Sequence, residues 1–112
     1  MTVMGEPSLL PLTPAAFHIL RSLTKGDMHG YAIKREVENR TAGGVRLGAG
    51  TLFHALQGLR DRGLVVEMDP VETSSSNWRF YQISGEGRHV LTQEVERLEA
   101  EMYFTLTPVF AA

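Results

Sequence analysis

The chain contains no cysteine among its 112 residues. A disulfide framework and a thiolate zinc site are therefore excluded, and a reducing compartment is compatible with the sequence. It also lacks a glycine-rich phosphate loop, and its four histidines fall in different predicted elements without a paired carboxylate at helical spacing. Asp27 and His29 are only two ligand types in one loop, which is typical of a polar turn rather than a metal site. We expect no enzyme, no cofactor and no metal.

Long hydrophobic runs are also missing. No apolar stretch approaches the roughly 20 residues that span a bilayer. The first arginine is Arg21, so the basic start of a secretory signal is missing. With 43% hydrophobic residues the chain is expected to fold as one domain with a modest core. We predict a cytoplasmic protein with no membrane partner.

An overall excess of positive charge is absent, because the formal net charge is −2. The charge is unevenly distributed, however. Residues 13–62 hold eight Lys and Arg against four Asp and Glu, whereas residues 84–112 hold two against five. A basic front half and an acidic tail are expected when one part of a chain meets phosphate and the other faces solvent or a partner. A small local excess of this kind also arises by chance in proteins that bind no nucleic acid.

Residues 48–84 predict a helix followed by a hairpin with a long polar tip. Leu52, Leu56 and Leu59 share one helical face, and Phe53, Gln57 and Arg60 lie on the other, with His54 and Asp61 beside them. Gly63 offers a left-handed helix end, and strand-like residues follow at 64–66 and 80–83. This order is typical of a winged helix, whose exposed helix enters a DNA groove and whose wing here is Asp69 to Asn77.

The preceding residues predict two more helices. Thr13 caps a helix that begins at Pro14, with Leu12 and Phe17 as a hydrophobic staple, and Phe17, Leu20 and Leu23 form its buried stripe. A second helix is predicted from His29 to about Thr41, and a short strand at Val45 to Leu47. The fold class is therefore mostly α with a small β-hairpin, a winged helix-turn-helix of three helices and a two-stranded wing.

Helical periodicity returns after Ser84, a predicted N-cap. Leu91, Val95, Leu98 and Met102 are spaced at steps of 4, 3 and 4, which is a heptad seam. We interpret it as a dimerisation helix, and the alternative is that it folds back on its own domain. The predicted organisation is a loose segment (1–12), a winged-helix domain (13–83), the dimerisation helix (84–107) and a tail (108–112).

Four segments, LTPAAFHIL, HGYAIKREVE, GTLFHAL with LRDRGLV, and FYQISGEGRHVL, stand in the order and spacing of a known family. Through them the chain resembles the PadR-like transcriptional regulators. The resemblance implies a homodimeric winged-helix repressor that binds a palindromic operator in double-stranded DNA. Its length and single seam are similar to the short form of the family, in which one C-terminal helix dimerises and some members bind flat hydrophobic compounds.

The chain departs from the family pattern in the third helix. Phe53 lacks a tyrosine hydroxyl, His54 replaces a proline, and Gln57 and Gly58 stand where Lys or Arg is common. The predicted wing contains Ser74, Ser75, Ser76 and Asn77, with Arg79 as its only cation. The candidate DNA contacts are Lys34, Arg35, Thr51, His54, Gln57, Arg60 and Arg79, and each charged one is alternatively a solvated surface charge. Tyr31 and Tyr81 are expected in the core.

The candidate effector site consists of Trp78, Leu98, Met102, Tyr103 and Phe104, since aromatic and thioether side chains accept varied planar ligands. The alternative is that they fill the dimer core. Two functions from different classes remain open. One is a repressor that responds to an effector, and the other is a winged-helix protein-interaction module with weak or no specific DNA binding.

Overall fold

The computed structural model describes residues 10–68 and 79–106, which form four helices and three short strands. In chain order they are α1 (Pro14–Leu23), β1 (Met28–His29), α2 (Gly30–Arg40), α3 (Ala49–Asp61), β2 (Val65–Met68), β3 (Phe80–Ile83) and α4 (Gly85–Leu106). The three-helix and hairpin order is the one predicted for a winged helix. The predicted wing, Asp69 to Asn77, lies outside the described residues.

The start of α1 confirms the predicted cap. The Thr13 hydroxyl accepts a hydrogen bond from the Ala16 N–H at 3.1 Å, and Pro14 occupies the first helical position. Leu20 and Leu23 are buried, while Phe17 is half-buried against the core. The helix therefore presents the predicted stripe to the rest of the domain.

The sheet has three strands rather than two. β1 pairs antiparallel with β3 through Met28 and Tyr81, and the strand order is β1-β3-β2. A two-residue strand is too short to show an alternating pattern, so the sequence did not reveal it. His29, predicted as the first helical residue, ends β1 and caps α2, with its Nδ1 accepting from the Ala32 N–H at 3.1 Å.

The strand predicted at Val45 to Leu47 is wrong. This segment forms no ladder, and the Val45 N–H donates to the Thr41 hydroxyl at 3.0 Å. Leu47 is nevertheless buried. Its side chain therefore holds the connection between α2 and α3 against the core, although the segment forms no strand.

The third helix packs as its periodicity predicts. Leu52, Leu56 and Leu59 are all buried, and Gly63 adopts a φ of 76° immediately after the helix. The Leu64 N–H then donates to the Leu59 carbonyl at 2.9 Å, closing the helix end. One core joins α1, α2, α3, the sheet and the start of α4, and its fully buried members include Ile19, Leu20, Leu23, Ile33, Val37, Leu56, Leu59, Leu64 and Val65.

The first turns of α4 are fixed to this core. The Ser84 hydroxyl accepts from the Gly87 N–H at 2.9 Å, which confirms the predicted cap. Val90 and Leu91 are buried. The buried Glu94 carboxylate accepts from the Leu12 N–H at 3.0 Å and from the Arg97 Nε at 2.6 Å. It therefore ties the entry to α1 to the middle of α4.

The remainder of α4 behaves differently. The exposed side chains here include Val95, Leu98, Met102 and Leu106. The alternative prediction, that α4 folds back on its own domain, is therefore wrong for the part of the helix after Glu94. The seam begins in the core at Leu91 and continues into solvent.

Candidate nucleic-acid interface

The outward face of α3 is made of polar residues and one aromatic. Because the three leucines turn inward, Thr51, Phe53, His54 and Gln57 are exposed. No residue of α3 before Arg60 is cationic. A face of this composition can form hydrogen bonds to base edges and apolar contact with a thymine methyl, while most of the positive charge must come from neighbouring elements.

Two cations flank the first turns of α3. Lys34 of α2 and Arg79, which precedes β3, line a cleft of about 480 Å³. Lys34 Nζ lies 3.8 Å from the Glu38 carboxylate one turn away, so it remains close to a counter-charge. The other lining residues are His29, Gly30, Tyr31, Ala49, Leu52, Phe53 and Tyr81. The cleft is largely apolar within, and Lys34 and Arg79 are its two cationic lining residues.

A second group of charges lies at the end of α3. Arg60 Nη1 contacts one oxygen of the Glu67 carboxylate at 2.8 Å, and Arg79 Nη1 contacts the other at 2.6 Å. Gln57 and Phe53 line a second cleft, together with Arg60 and Glu67. Gln57, Arg60 and Glu67 therefore line one cleft, and Arg79 is linked to it through its ion pair with Glu67.

Tyr81 lies beneath this charged group. It is buried, as predicted, and burial raises the pKa of its hydroxyl. The Glu67 carboxylate raises that pKa further, whereas Arg60 and Arg79 lower it. Tyr81 therefore stays a neutral phenol at ordinary pH and supports the cluster from the core side.

Tyr31 does not belong to the core, contrary to the prediction. Its side chain is 55% exposed, and the Arg35 guanidinium lies 5.9 Å from the centre of its ring. Arg35 lines a separate cleft on the far side of Tyr31, away from the Lys34 cleft. The structure thus places Lys34, Gln57, Arg60 and Arg79 around adjoining clefts, with Thr51 and His54 exposed on α3 and Arg35 across Tyr31.

Glu67 was missed by the sequence analysis. Its signal is the alternation of β2, in which Val65 is buried, Val66 exposed, Glu67 half-buried and Met68 exposed. That alternation turns Glu67 to the same side as Val65, toward α3. The sequence does not show which residue lies opposite Glu67, and the pairing of β2 with β3 places it opposite Tyr81.

The exposed end of α4 holds most of the candidate effector residues. Leu98 is 40% exposed and Met102 56%, and the Tyr103 and Phe104 rings meet edge to face at 5.5 Å. All four side chains are exposed, and Leu98 and Met102 lie one turn apart on the same side of the helix. Trp78 lies outside the described residues.

Among residues 10–68 and 79–106, no group of three His, Asp or Glu side chains is arranged to hold a metal ion. None of the helices described has a stretch apolar and long enough to cross a membrane.

Comparison with known proteins places this fold in a family. The family model described as the transcriptional regulator PadR-like family matches residues 19–93, more than half of the chain. No curated protein sequence matches. Among solved structures, a transcriptional regulator from Clostridium thermocellum is 24% identical, with a TM-score of 0.70, covering 84% of this chain and 90% of its own.

Two more solved structures are similar over most of their length. A PadR family transcription regulator from Clostridium difficile R20291 is 23% identical with a TM-score of 0.71, covering 86% of this chain and all of its own. RosR of H. salinarum is 26% identical with a TM-score of 0.63, covering 91% of this chain and 84% of its own. The matched residues contain α2, α3, the sheet and the start of α4. The family that they match consists of transcriptional regulators rather than enzymes. The chain belongs to the PadR-like family of transcriptional regulators.

Proposed function

We propose that the chain is a homodimeric, sequence-specific DNA-binding repressor that acts in the cytoplasm and responds to a hydrophobic or aromatic effector. The observation that carries this proposal is the outward face of α3. Thr51, His54 and Gln57 are exposed there on a helix held rigidly by three buried leucines. In a winged helix-turn-helix this helix enters the major groove.

In this proposal, the residues that contact DNA bases differ from those that contact phosphates. We assign Gln57 to paired hydrogen bonds with adenine, and Phe53 to contact with a thymine methyl. Lys34, Arg60 and Arg79 surround that face, so we assign them to phosphate. Arg35 is assigned to phosphate on the flank of α2, and Thr51 and His54 to the groove or its nearest phosphates.

Dimerisation is inferred from the unpartnered half of α4. Leu91 anchors the seam in the core, and Val95, Leu98 and Met102 extend it into solvent with exposures of 38 to 56%. The same seam from a second copy would bury these side chains by coiled-coil packing. Two recognition helices would then face one palindrome, with half-sites about one helical turn apart or a multiple of it.

Effector response is placed in the same region. Met102, Tyr103 and Phe104 would stand near the dimer interface, where aromatic rings and a thioether can accept a planar compound. An effector bound there would change the relative position of the two α3 helices and thereby the affinity for both half-sites together. In this proposal the winged-helix domain ends at about residue 83, and α4 (Gly85–Leu106) is the dimerisation helix that the sequence predicts at 84–107. Residue 107 and the predicted tail (108–112) lie outside the described residues.

The test is selection of bound duplexes from a random-sequence DNA pool by the purified full chain, repeated at two salt concentrations. We expect a palindrome to be enriched and binding to weaken steeply with salt, because cationic side chains displace counterions from the DNA. Failure to enrich any sequence, with the protein shown to be folded and dimeric, would contradict the proposal. A salt-insensitive protein that captures a protein partner would instead favour the interaction module.

A further inference from the structure

Glu67 joins three elements that meet at the edge of the proposed DNA surface. It projects from β2 and holds Arg60 near the end of α3 and Arg79 just before β3, each through a different carboxylate oxygen. Its side chain is 18% exposed, while those of Arg60 and Arg79 are 44% and 55% exposed. The acid is thus the inner member of the cluster, and both guanidinium groups reach solvent.

This arrangement has a direct electrostatic consequence. One carboxylate at hydrogen-bond distance offsets half of the positive charge of two arginines. A guanidinium donates through five N–H groups, so each arginine keeps donors that a phosphate oxygen could accept while it contacts Glu67. The net positive charge that a phosphate would meet at this cluster is nevertheless reduced. The reduction matters because α3 has no Lys or Arg before Arg60.

We propose that Glu67 is a positioning residue that holds Arg60 and Arg79 against the protein and opposes their binding to DNA phosphate. The inference rests on the proposed function, because it assigns both arginines to the DNA surface. Phosphate contacts carry no sequence information. An acid that competes with phosphate for two arginines therefore suppresses binding to arbitrary DNA and makes the complex depend more strongly on the base contacts of α3.

A mainly structural role is the competing explanation for these ion pairs. Because both guanidinium groups reach solvent, water and salt screen these ion pairs, and we expect them to contribute little to stability. The buried face of β2 is already fixed by Val65, and that of β3 by Tyr81 and Ile83. A substitution that keeps the size of Glu67 and removes its charge should therefore leave the fold intact.

The test compares the full chain with its Glu67→Gln variant in binding a duplex of arbitrary sequence over a salt series. We expect the variant to bind at least about fivefold more tightly at low salt. The slope of log affinity against log salt should steepen by up to about 1.8, or about 0.9 for each additional phosphate contact. Stabilisation of the fold alone would not change this slope.

Two controls isolate the cluster. Glu96→Gln makes the same change of net charge on the exposed side of α4 and should have little effect on the slope. In a chain that already contains Arg60→Gln and Arg79→Gln, adding Glu67→Gln should change neither affinity nor slope. An increase that persists without the arginines would show a general charge effect and overturn the proposal.

The remaining outcomes separate this inference from the proposed function. If the natural chain binds the duplex with a steep salt dependence and Glu67→Gln binds equally or more weakly, the role of Glu67 is overturned while DNA binding stands. If neither protein binds any duplex although both are folded by circular dichroism, the proposed function fails and the role of Glu67 falls with it.

Discussion

At the residue scale, two side chains of the proposed interface are expected to contact DNA in different ways. Gln57 lies on the exposed face of α3, and Lys34 lies on α2 beside the cleft shared with Phe53. An amide can distinguish base edges, whereas an ammonium attracts any phosphate. Their substitution should therefore leave different signatures.

We expect Gln57→Ala to relax sequence preference at one position of the operator, reducing discrimination there by about 1–3 kcal/mol. Lys34→Ala should weaken binding to all duplexes alike and make the salt slope less steep by about 1. Competition binding with operators that differ at one base pair measures the first effect, and a salt series measures the second. Equal losses on all duplexes for both variants would show that Gln57 does not face a base.

A second residue-scale prediction concerns Glu94. Hydrogen bonds from Arg97, aided by the Leu12 N–H, hold its pKa below the ordinary value of 4.5, although burial acts in the opposite direction. The unfolded chain therefore takes up this proton more readily than the folded chain. The stabilisation from the ionised carboxylate is complete above about pH 4.5 and is lost as the pH falls toward the lowered value.

We expect Glu94→Gln to lower the free energy of unfolding by about 1–3 kcal/mol at neutral pH, since charged hydrogen bonds are lost. The difference from the natural chain should shrink as the pH falls below about 4.5. Urea unfolding at several pH values measures this, with Glu96→Gln as the exposed control. A difference that stays constant down to low pH would show that the carboxylate charge is not responsible.

The residues also differ in how far they could be foreseen. The inward leucines of α3, the Thr13 cap and Gly63 follow from local spacing and backbone preference. Glu67 and Tyr31 did not, because their surroundings depend on which strand and which helix lie next to them. Local patterns in a sequence describe a residue's own element and not the elements packed against it.

At the scale of elements, Gly58 of α3 and Gly87 of α4 have opposite roles. A Cβ built on Gly58 meets no atom within 4 Å. A Cβ on Gly87 would overlap the Leu64 carbonyl oxygen and lie 2.9 Å from the Ile83 Cγ1. Gly87 is therefore required for the close approach of α4 to the sheet, whereas Gly58 only weakens its helix.

We expect Gly58→Ala to raise the free energy of unfolding by about 0.5–1 kcal/mol, through the higher helix propensity of alanine. Gly87→Ala should lower it by about 1–3 kcal/mol, because the backbone has to move. Thermal unfolding of both variants gives the comparison. A destabilised Gly58→Ala would mean that α3 needs local freedom at this turn.

The elements themselves were largely predictable. Four helices and the β2–β3 hairpin follow from apolar periodicity and caps, with boundaries within a few residues. The third strand, β1, was missed and the strand at 45–47 was wrong for the same reason. Two or three residues form a strand only where the edge of another strand lies beside them. Met28 pairs with β3, whereas the Val45 N–H donates to the Thr41 hydroxyl instead of to a strand.

At the scale of the whole molecule, the part of α4 after Glu94 exposes apolar side chains to solvent in a single copy of the chain. Of the large apolar side chains exposed in the described residues, most lie on this helix. Contiguous exposed apolar surface of this kind marks an interaction site. Under the proposed function its partner is a second copy.

We expect Leu98→Glu to convert a dimer into a folded monomer and to weaken operator binding at least about tenfold, because both half-sites are no longer bound together. The isolated fold should be little affected, since Leu98 is 40% exposed in one protomer. Sedimentation equilibrium measures the mass, and Gln93→Glu on the exposed side of α4 is the control. A Leu98→Glu variant that remains dimeric would place the interface elsewhere.

The helices, the hairpin strands, the caps and the family follow from the amino-acid sequence alone, because they depend on short-range periodicity, backbone preference and recurring segments. Three-dimensional packing was needed to show that β1 joins the sheet, that Tyr31 is exposed and that Glu67 lies between Arg60 and Arg79. It also decided that α4 leaves the core after Glu94. These features arise from contacts between residues distant in the chain, and the pattern of one segment does not contain the position of another.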